Sequence, residues 1–334
     1  MTEAASTTAD SELDNAVWSE RLGAGSVWVI VPALNESENL RELVPRIHSV
    51  ISRWDGARLL VVDDGSTDST AATVDAVATE LPGISLLRLG RNFGKATALQ
   101  RGFDEAVVAG AGYVVMMDAD GQDDPCELPR LLDGIQSGAD LVTGARVERN
   151  DRFIKRKTSK LYNKATAIIS RAPGRDFNSG FKAMRVDVAR DVSPMLYGEL
   201  HRYLTVIAHW LGYRVSEVPV QHHARMHGST KYGPARFWRG FVDLLTVRFL
   251  MSYENRPSHL FGGFGFLSLF LGGLVLAYLT VLRLFGERIG DRPLLIAGVL
   301  LVMVGLQLTL FGFLAELTVH ARNLDRRRSS RAHH

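Results

Sequence analysis

Short apolar runs alternate with longer stretches whose apolar positions recur at helical spacing through the first part of the chain. Ser26–Val31 (SVWVIV), Leu59–Val62 (LLVV), Ser85–Leu89, Tyr113–Met117 and Asp140–Thr143 read as strands. Between them, Leu40, Leu43, Val44, Ile47 and Ile51 mark one helix, with Asn35 or Ser37 as its cap. Further helices are expected from about Ser69 to Thr79 and from Gly94 to Ala109. This alternation predicts an α/β domain: a mostly parallel, twisted sheet with helices on both faces. Ligands of such sheets bind beyond the carboxyl ends of the strands.

Further on, Gly174–Arg185 is polar and glycine-bearing around Phe177 and Phe181, which predicts a loop over the site. Glu199-Leu200-His201-Arg202 opens a helix reaching about Leu211. Arg214–Val220 reads as an edge strand, because Pro219 cannot donate to a ladder. Two stretches, Phe153–Ser170 and Pro234–Phe249, are basic and amphipathic, a pattern suited to a bilayer interface. Leu260–Leu282 and Pro293–Ala315 carry no charge at all. Each spans about 34 Å at roughly 1.5 Å per residue, against a hydrocarbon core about 30 Å thick. Two transmembrane helices are therefore expected. Arg and Lys around them predict that the large domain and both termini are cytoplasmic. Residues 1–24 lack the basic and apolar regions of a signal peptide and read as a disordered tail. The domains expected are a catalytic unit over 25–233, a juxtamembrane segment over 234–257, two spans over 258–317 and a basic tail over 318–334.

Candidate chemistry gathers at the strand ends. Asn35-Glu36, Asp63-Asp64 and Asp118-Ala119-Asp120 each follow an apolar run, and Gly121 allows the last to bend. Hard cations such as Mg²⁺ or Mn²⁺ take oxygen ligands and share them with substrate phosphates. Asp118, Asp120 and Gln122 are thus candidate metal ligands. No glycine-rich phosphate loop follows any strand, so a bound diphosphate would need a metal and basic side chains. Asp176 is a further candidate carboxylate. His222, His223 and His227 lack a metal-ligand spacing; with Arg225 and Lys231 they suit a mobile basic loop closing over phosphate.

The net charge is +3 over 334 residues, with basic residues crowded between Arg146 and Lys164 and between Arg322 and Arg331. Beside such long apolar runs, these patches indicate a lipid bilayer rather than nucleic acid. The single cysteine, Cys126, excludes an internal disulfide.

The ordered set VIVPALNESENL, VVDDGSTDST, RNFGKATALQRGFDEA, MDADGQDDP, DFNSGFKAMR and HGSTKYG resembles glycosyltransferase family 2. More closely it is similar to polyprenyl-phosphate glycosyltransferases, which include dolichol-phosphate mannose synthases and bactoprenol glucosyltransferases. The resemblance implies a GT-A fold and an inverting hexose transfer from a nucleotide sugar to a membrane polyprenyl phosphate. It prefers UDP-glucose as donor, with GDP-mannose as the second choice. It implies a nucleotide-sugar pocket of Pro32, Leu34, Glu36, Val62, Asp64, Asp118, Ala119, Arg146, Arg225 and Lys231. Lys155 and Ser159 would meet the acceptor phosphate, Asp176 would be the catalytic carboxylate, and a divalent metal would sit on Asp120 and Gln122. A processive polysaccharide synthase is the competing enzyme, disfavoured by only two spans and no Gln-x-x-Arg-Trp motif. A scaffold of the same fold is the competing non-enzyme, disfavoured by the intact acids. A homo-oligomer is left open.

Overall fold

The computed structural model describes residues 26–146, 173–174, 176–223, 246, 257–289 and 293–332. They divide between Val247 and Arg248 into two units.

The first unit is built on a seven-stranded sheet among the described residues. Its strands are β1 (Val27–Ala33), β2 (Arg58–Asp63), β3 (Ile84–Arg88), β4 (Tyr113–Met116), β5 (Leu141–Arg146), β6 (Lys182–Arg185) and β7 (Val215–Val220). Their order is β3-β2-β1-β4-β6-β5-β7. Only β6 runs antiparallel to its neighbours, so β1, β2, β4 and β5 all end at one edge. Side chains of β1 alternate across the sheet. Val27, Val29 and Val31 join one core with α1 (Ser37–Ile51) and α4 (Leu128–Gln136), through Leu40, Leu43, Leu131 and Ile135. The stripe expected on α1 is the stripe that is buried. The helices α2 (Thr70–Glu80), α3 (Lys95–Val108), α5 (Val186–Val192) and α6 (Leu204–Trp210) complete the unit.

Three local expectations are corrected. The segment Gly174–Arg185 is not loop throughout, because its end forms β6 in the middle of the sheet. Phe181, Ala183 and Met184 are fully buried there, and four residues are too few for alternation to announce a strand. Neither Asn35 nor Ser37 caps α1 by its side chain. Asn35 instead takes a left-handed φ of 55° and turns its Oδ1 to the Thr67 and Asp68 amides. The stretch from Glu199 begins as a 3₁₀ turn, Leu200–Tyr203, before α6. The expected edge strand carrying Pro219 is β7, at one margin of the sheet.

The second unit is a helical hairpin of α7 (Pro257–Leu284) and α8 (Pro293–Ala332). Its candidate spans are Phe261–Leu284 and Pro293–Ala321, with only 17% and 11% of their most apolar windows buried. A soluble core helix would hide that surface; these present it outward. Gly265 faces Gly305 across the pair, while Gly272 meets Leu301 and Val302, and Gly298 meets Val275 and Leu276. A Cβ on Gly305 would lie 2.7 Å from Leu269 N, and one on Gly298 2.8 Å from Val275 Cγ1. Such small residues let backbones approach where no hydrophobic effect drives helices together. The Ser268 hydroxyl adds a bond to Leu301 O at 2.7 Å.

In the first unit, α3 crosses β1 at Gly102, where a Cβ would come within 2.4 Å of Ile30 Cγ2. Gly102→Val should therefore lower stability by about 1–3 kcal/mol through overpacking. A thermal midpoint equal to the wild type in detergent would contradict this close crossing.

Candidate active site

Two loops leaving the parallel strands are locked to each other before any ligand is considered. Asp63, at the end of β2, accepts the Ser66 amide at 2.9 Å. Asp68 accepts the Thr70 amide at 2.9 Å and the Ser37 amide at 3.3 Å. The Asn35 amide donates to Ser66 Oγ, and the Glu36 amide to Thr70 Oγ1. Gly65 makes this possible: its φ is +72°, and a Cβ would stand 2.4 Å from the Arg91 carbonyl carbon. Asp64 is buried, and its two oxygens accept the Phe93 and Gly94 amides at 2.8 Å each. It thereby fixes the turn that starts α3.

That turn delivers Lys95, whose ammonium pairs with Asp118 just beyond β4. Burial pushes the Asp118 carboxyl up, but Lys95 outweighs it, helped by Arg146, and holds it below the usual carboxylate range. Gly180 closes against the same group: a Cβ there would lie 2.4 Å from Asp118 Cγ. Asp176 is buried at the mouth of the same loop. Its Oδ2 accepts from Arg146 Nε at 2.9 Å, and its amide donates to Glu217 Oε1 at 2.8 Å. Burial lowers the Arg146 pKa, yet Asp176 and Asp123 more than offset that and raise it. Lys182, the first residue of β6, is fully buried and donates to the Phe177 and Ser179 carbonyls. Burial brings its pKa down to about 8.

The loop Gln122–Asp124 is fastened to the chain leaving β7. The His223 amide donates to Gln122 O at 2.7 Å, and Asp123 and His222 form an antiparallel bridge. Their side chains meet at 3.1 Å, and His223 meets Asp124 at 3.0 Å. Burial raises the Asp123 pKa against the His222 hydrogen bond. These two histidines, expected in a mobile phosphate loop, are thus partners of two aspartates.

Of the expected pocket residues, Pro32 and Val62 are paired across β1 and β2, and Leu34 and Glu36 follow β1, half-buried. Ala119 is buried beside Asp118. Arg146 and Asp176 are in direct contact. Lys155, Ser159, Arg225 and Lys231 lie outside the described residues, as do both amphipathic stretches apart from Thr246. Sequence reasoning did not assign Lys95, Lys182, Gly180 or Glu217; the first three sit in motifs quoted above, but nothing in their spacing reveals their partners.

Among the described residues no group of three or more His, Cys, Asp or Glu is arranged to hold a metal. Asp120, whose Oδ1 accepts the Gln122 amide at 3.2 Å, and Gln122 nevertheless offer hard oxygen donors at the edge of the cleft. Two or three such donors suit an ion that completes its shell with phosphate oxygens and water. Asp118 is less available, being paired with Lys95.

The comparisons with known proteins now decide the family. Residues 28–193 match the family described as Glycosyl transferase family 2. A dodecaprenyl-phosphate galacturonate synthase of Rhizobium johnstonii is 34% identical over 304 residues, 86% of each chain. The chain belongs to glycosyl transferase family 2. An undecaprenyl-phosphate 4-deoxy-4-formamido-L-arabinose transferase of Sodalis glossinidius is 30% identical, over 87% of each chain. A crystal structure described as that of a mycobacterial protein shares the fold. It is 19% identical, with a TM-score of 0.50 over 72% of this chain and 78% of that one. The sheet is therefore the GT-A fold of a family 2 glycosyltransferase, whose named relatives act on polyprenyl phosphates.

In this glycosyltransferase the buried Lys182 gives a pH dependence. Its folded pKa of about 8 lies below the ordinary lysine value of 10.5, so between these values the unfolded chain binds more protons. Stability conferred relative to Lys182→Met should rise with pH across that window and be flat below it. The two melting temperatures should converge or cross as pH climbs from 8 to 10; a constant difference would contradict the buried, destabilised ammonium.

Proposed function

We propose that this enzyme transfers a sugar from a nucleoside diphosphate to the phosphate of a membrane polyprenol, with inversion at the anomeric carbon. The observation that supports it most is the charge network at the sheet edge, where Lys95 pairs with Asp118, Arg146 pairs with Asp176 and Lys182 is buried beside them, with Asp120 two residues beyond Asp118 in the chain. An acceptor-phosphate oxygen attacks the anomeric carbon, and the bond from that carbon to the nucleoside diphosphate breaks with its electron pair. A phosphate monoester has a second pKa near 6, so it needs little help losing a proton. Asp176, already paired with Arg146, then acts by holding that guanidinium towards the reacting anions rather than as a strong base. Arg146 and its neighbours offset repulsion between two anionic substrates. A Mg²⁺ or Mn²⁺ ion held by Asp120 and Gln122, with Asp118 beside them, would neutralise charge on the departing diphosphate.

Pro32, Leu34, Glu36, Val62, Asp64 and Ala119 are proposed to border the nucleotide, with uracil the preferred base. For the sugar we favour a modified pyranose ahead of glucose, and glucose ahead of mannose; similarity to relatives named for galacturonate and formamido-arabinose supports the first choice. Arg225 and Lys231 are proposed to close on the diphosphate, and Lys155 and Ser159 to meet the acceptor.

The prenyl tail keeps the acceptor in the bilayer, since each buried CH₂ is worth about 0.8 kcal/mol. Two apolar helices indicate membrane association. We take the catalytic unit and both termini to be cytoplasmic, because the basic residues flank the spans on that side.

The test is turnover by the purified full chain with a short polyprenyl phosphate, divalent metal and a panel of donors. The panel holds UDP-galacturonate, UDP-4-deoxy-4-formamido-arabinose, UDP-glucose and GDP-mannose, with the lipid product identified by mass. A metal-dependent prenyl phosphosugar from a UDP donor is expected. Donor hydrolysis without lipid product, or undiminished turnover in excess chelator, would contradict the proposal.

A further inference from the structure

Among the described residues, three buried side-chain atoms have no hydrogen-bond partner: Asn39 Oδ1, Asn178 Oδ1 and His201 Nδ1. Leaving a buried polar atom unpaired is costly, and native folds keep such atoms chiefly where something else will meet them. All three belong to segments bordering the catalytic edge. Asn39 lies in the first turn of α1 and already gives its Nδ2 to Glu36 at 2.5 Å. The other two flank the carboxylates. Asn178 belongs to the Asp176–Gly180 turn, and its carbonyl oxygen accepts from Arg146 Nη2 at 3.4 Å. Two residues later Gly180 rests on Asp118. His201 lies in the 3₁₀ turn that follows Gly198, whose φ is +54°, and it feels the charges of Lys95 and Asp118.

The chemistry of these atoms narrows what they meet. Burial first, then the cations Lys95 and Arg202, bring the His201 pKa down to about 3. At neutral pH the ring is uncharged, with one N–H and one lone pair, and the Gly198 backbone carbonyl already interacts with the ring, so one polar atom is left for a ligand. An asparagine amide is likewise neutral. Neither group can compensate a phosphate. Lys95 and Arg146 pair with Asp118 and Asp176, and the buried Lys182 ammonium is taken up by the Phe177 and Ser179 carbonyls. Beside those charges, two neutral hydrogen-bonding atoms fit a ligand that is polar, uncharged at the contact and rich in hydroxyls.

Resting on the transfer proposed above, we propose that His201 and Asn178 form the subsite that reads the donor's sugar ring, each through a hydrogen bond to a neutral ring substituent. His201 and Asn178 thus set which sugar is accepted, whereas the nucleotide is held elsewhere. A site built to bond a hydroxyl rejects an analogue lacking it, because its own polar atom is then stranded.

The experiment uses the purified full chain, the donor that the wild type turns over, and derivatives of it that each lack one ring hydroxyl. His201→Leu and Asn178→Ala should each lower kcat/KM for the intact donor by roughly tenfold or more. Affinity for the bare nucleoside diphosphate should stay within about twofold, since that ligand has no sugar. Each variant should also lose the wild type's discrimination against one particular deoxy donor, and His201→Gln, which keeps a hydrogen-bonding group, should recover part of it. Parallel loss of bare-nucleotide affinity, or unchanged discrimination across the deoxy set, would overturn the subsite while leaving wild-type transfer intact. A wild type that transfers no sugar from any donor would overturn both readings.

Discussion

The catalytic edge depends on one constraint: charges withdrawn from water must be matched by partners held at fixed positions. Here the matching is done within the protein. Lys95 answers Asp118, Arg146 answers Asp176, and Lys182 is held by the Phe177 and Ser179 carbonyls. Asp64 is satisfied by two backbone amides. The Lys95, Arg146 and Asp64 contacts join segments more than 20 residues apart in the chain, so the sheet must be assembled before the edge exists. In return the edge fixes the loops that leave the strands.

The same contacts connect the parts of the reaction. The turn at Gly94 places Lys95 only because Asp64 holds it, so the loop after β2 governs the charge on the loop after β4. The Asp123–His222 and Asp124–His223 pairs tie the Gln122 loop to the exit of β7. That exit leads into the segment carrying Arg225 and Lys231. The Gln122 loop and the segment carrying Arg225 and Lys231 are thus joined through one short stretch of chain.

Much of this was legible from the residue pattern. All six of the described parallel strands, the stripe on α1 and both apolar helices follow from periodicity and length. The position of the acids at the strand ends was legible too, since each group follows an apolar run. What was hidden was pairing. Nothing local says that Lys95 reaches Asp118, or that the lysine of FKAMR is buried on β6 rather than exposed on a loop. Lysine is ordinarily a surface residue, and β6 is too short to show its alternation. His201 looked like a helix opener; only the full packing exposes its unpartnered nitrogen.

The central claim is that the protein offers too few oxygens to hold a cation by itself, and that the diphosphate completes the site. Mn²⁺ binding followed by electron paramagnetic resonance tests this most directly, with the purified full chain, with and without UDP. The account predicts weak Mn²⁺ binding alone, at least tenfold tighter binding with UDP, and loss of that gain in Asp120→Asn. Tight Mn²⁺ binding without nucleotide, or a UDP-dependent gain untouched by Asp120→Asn, would contradict it.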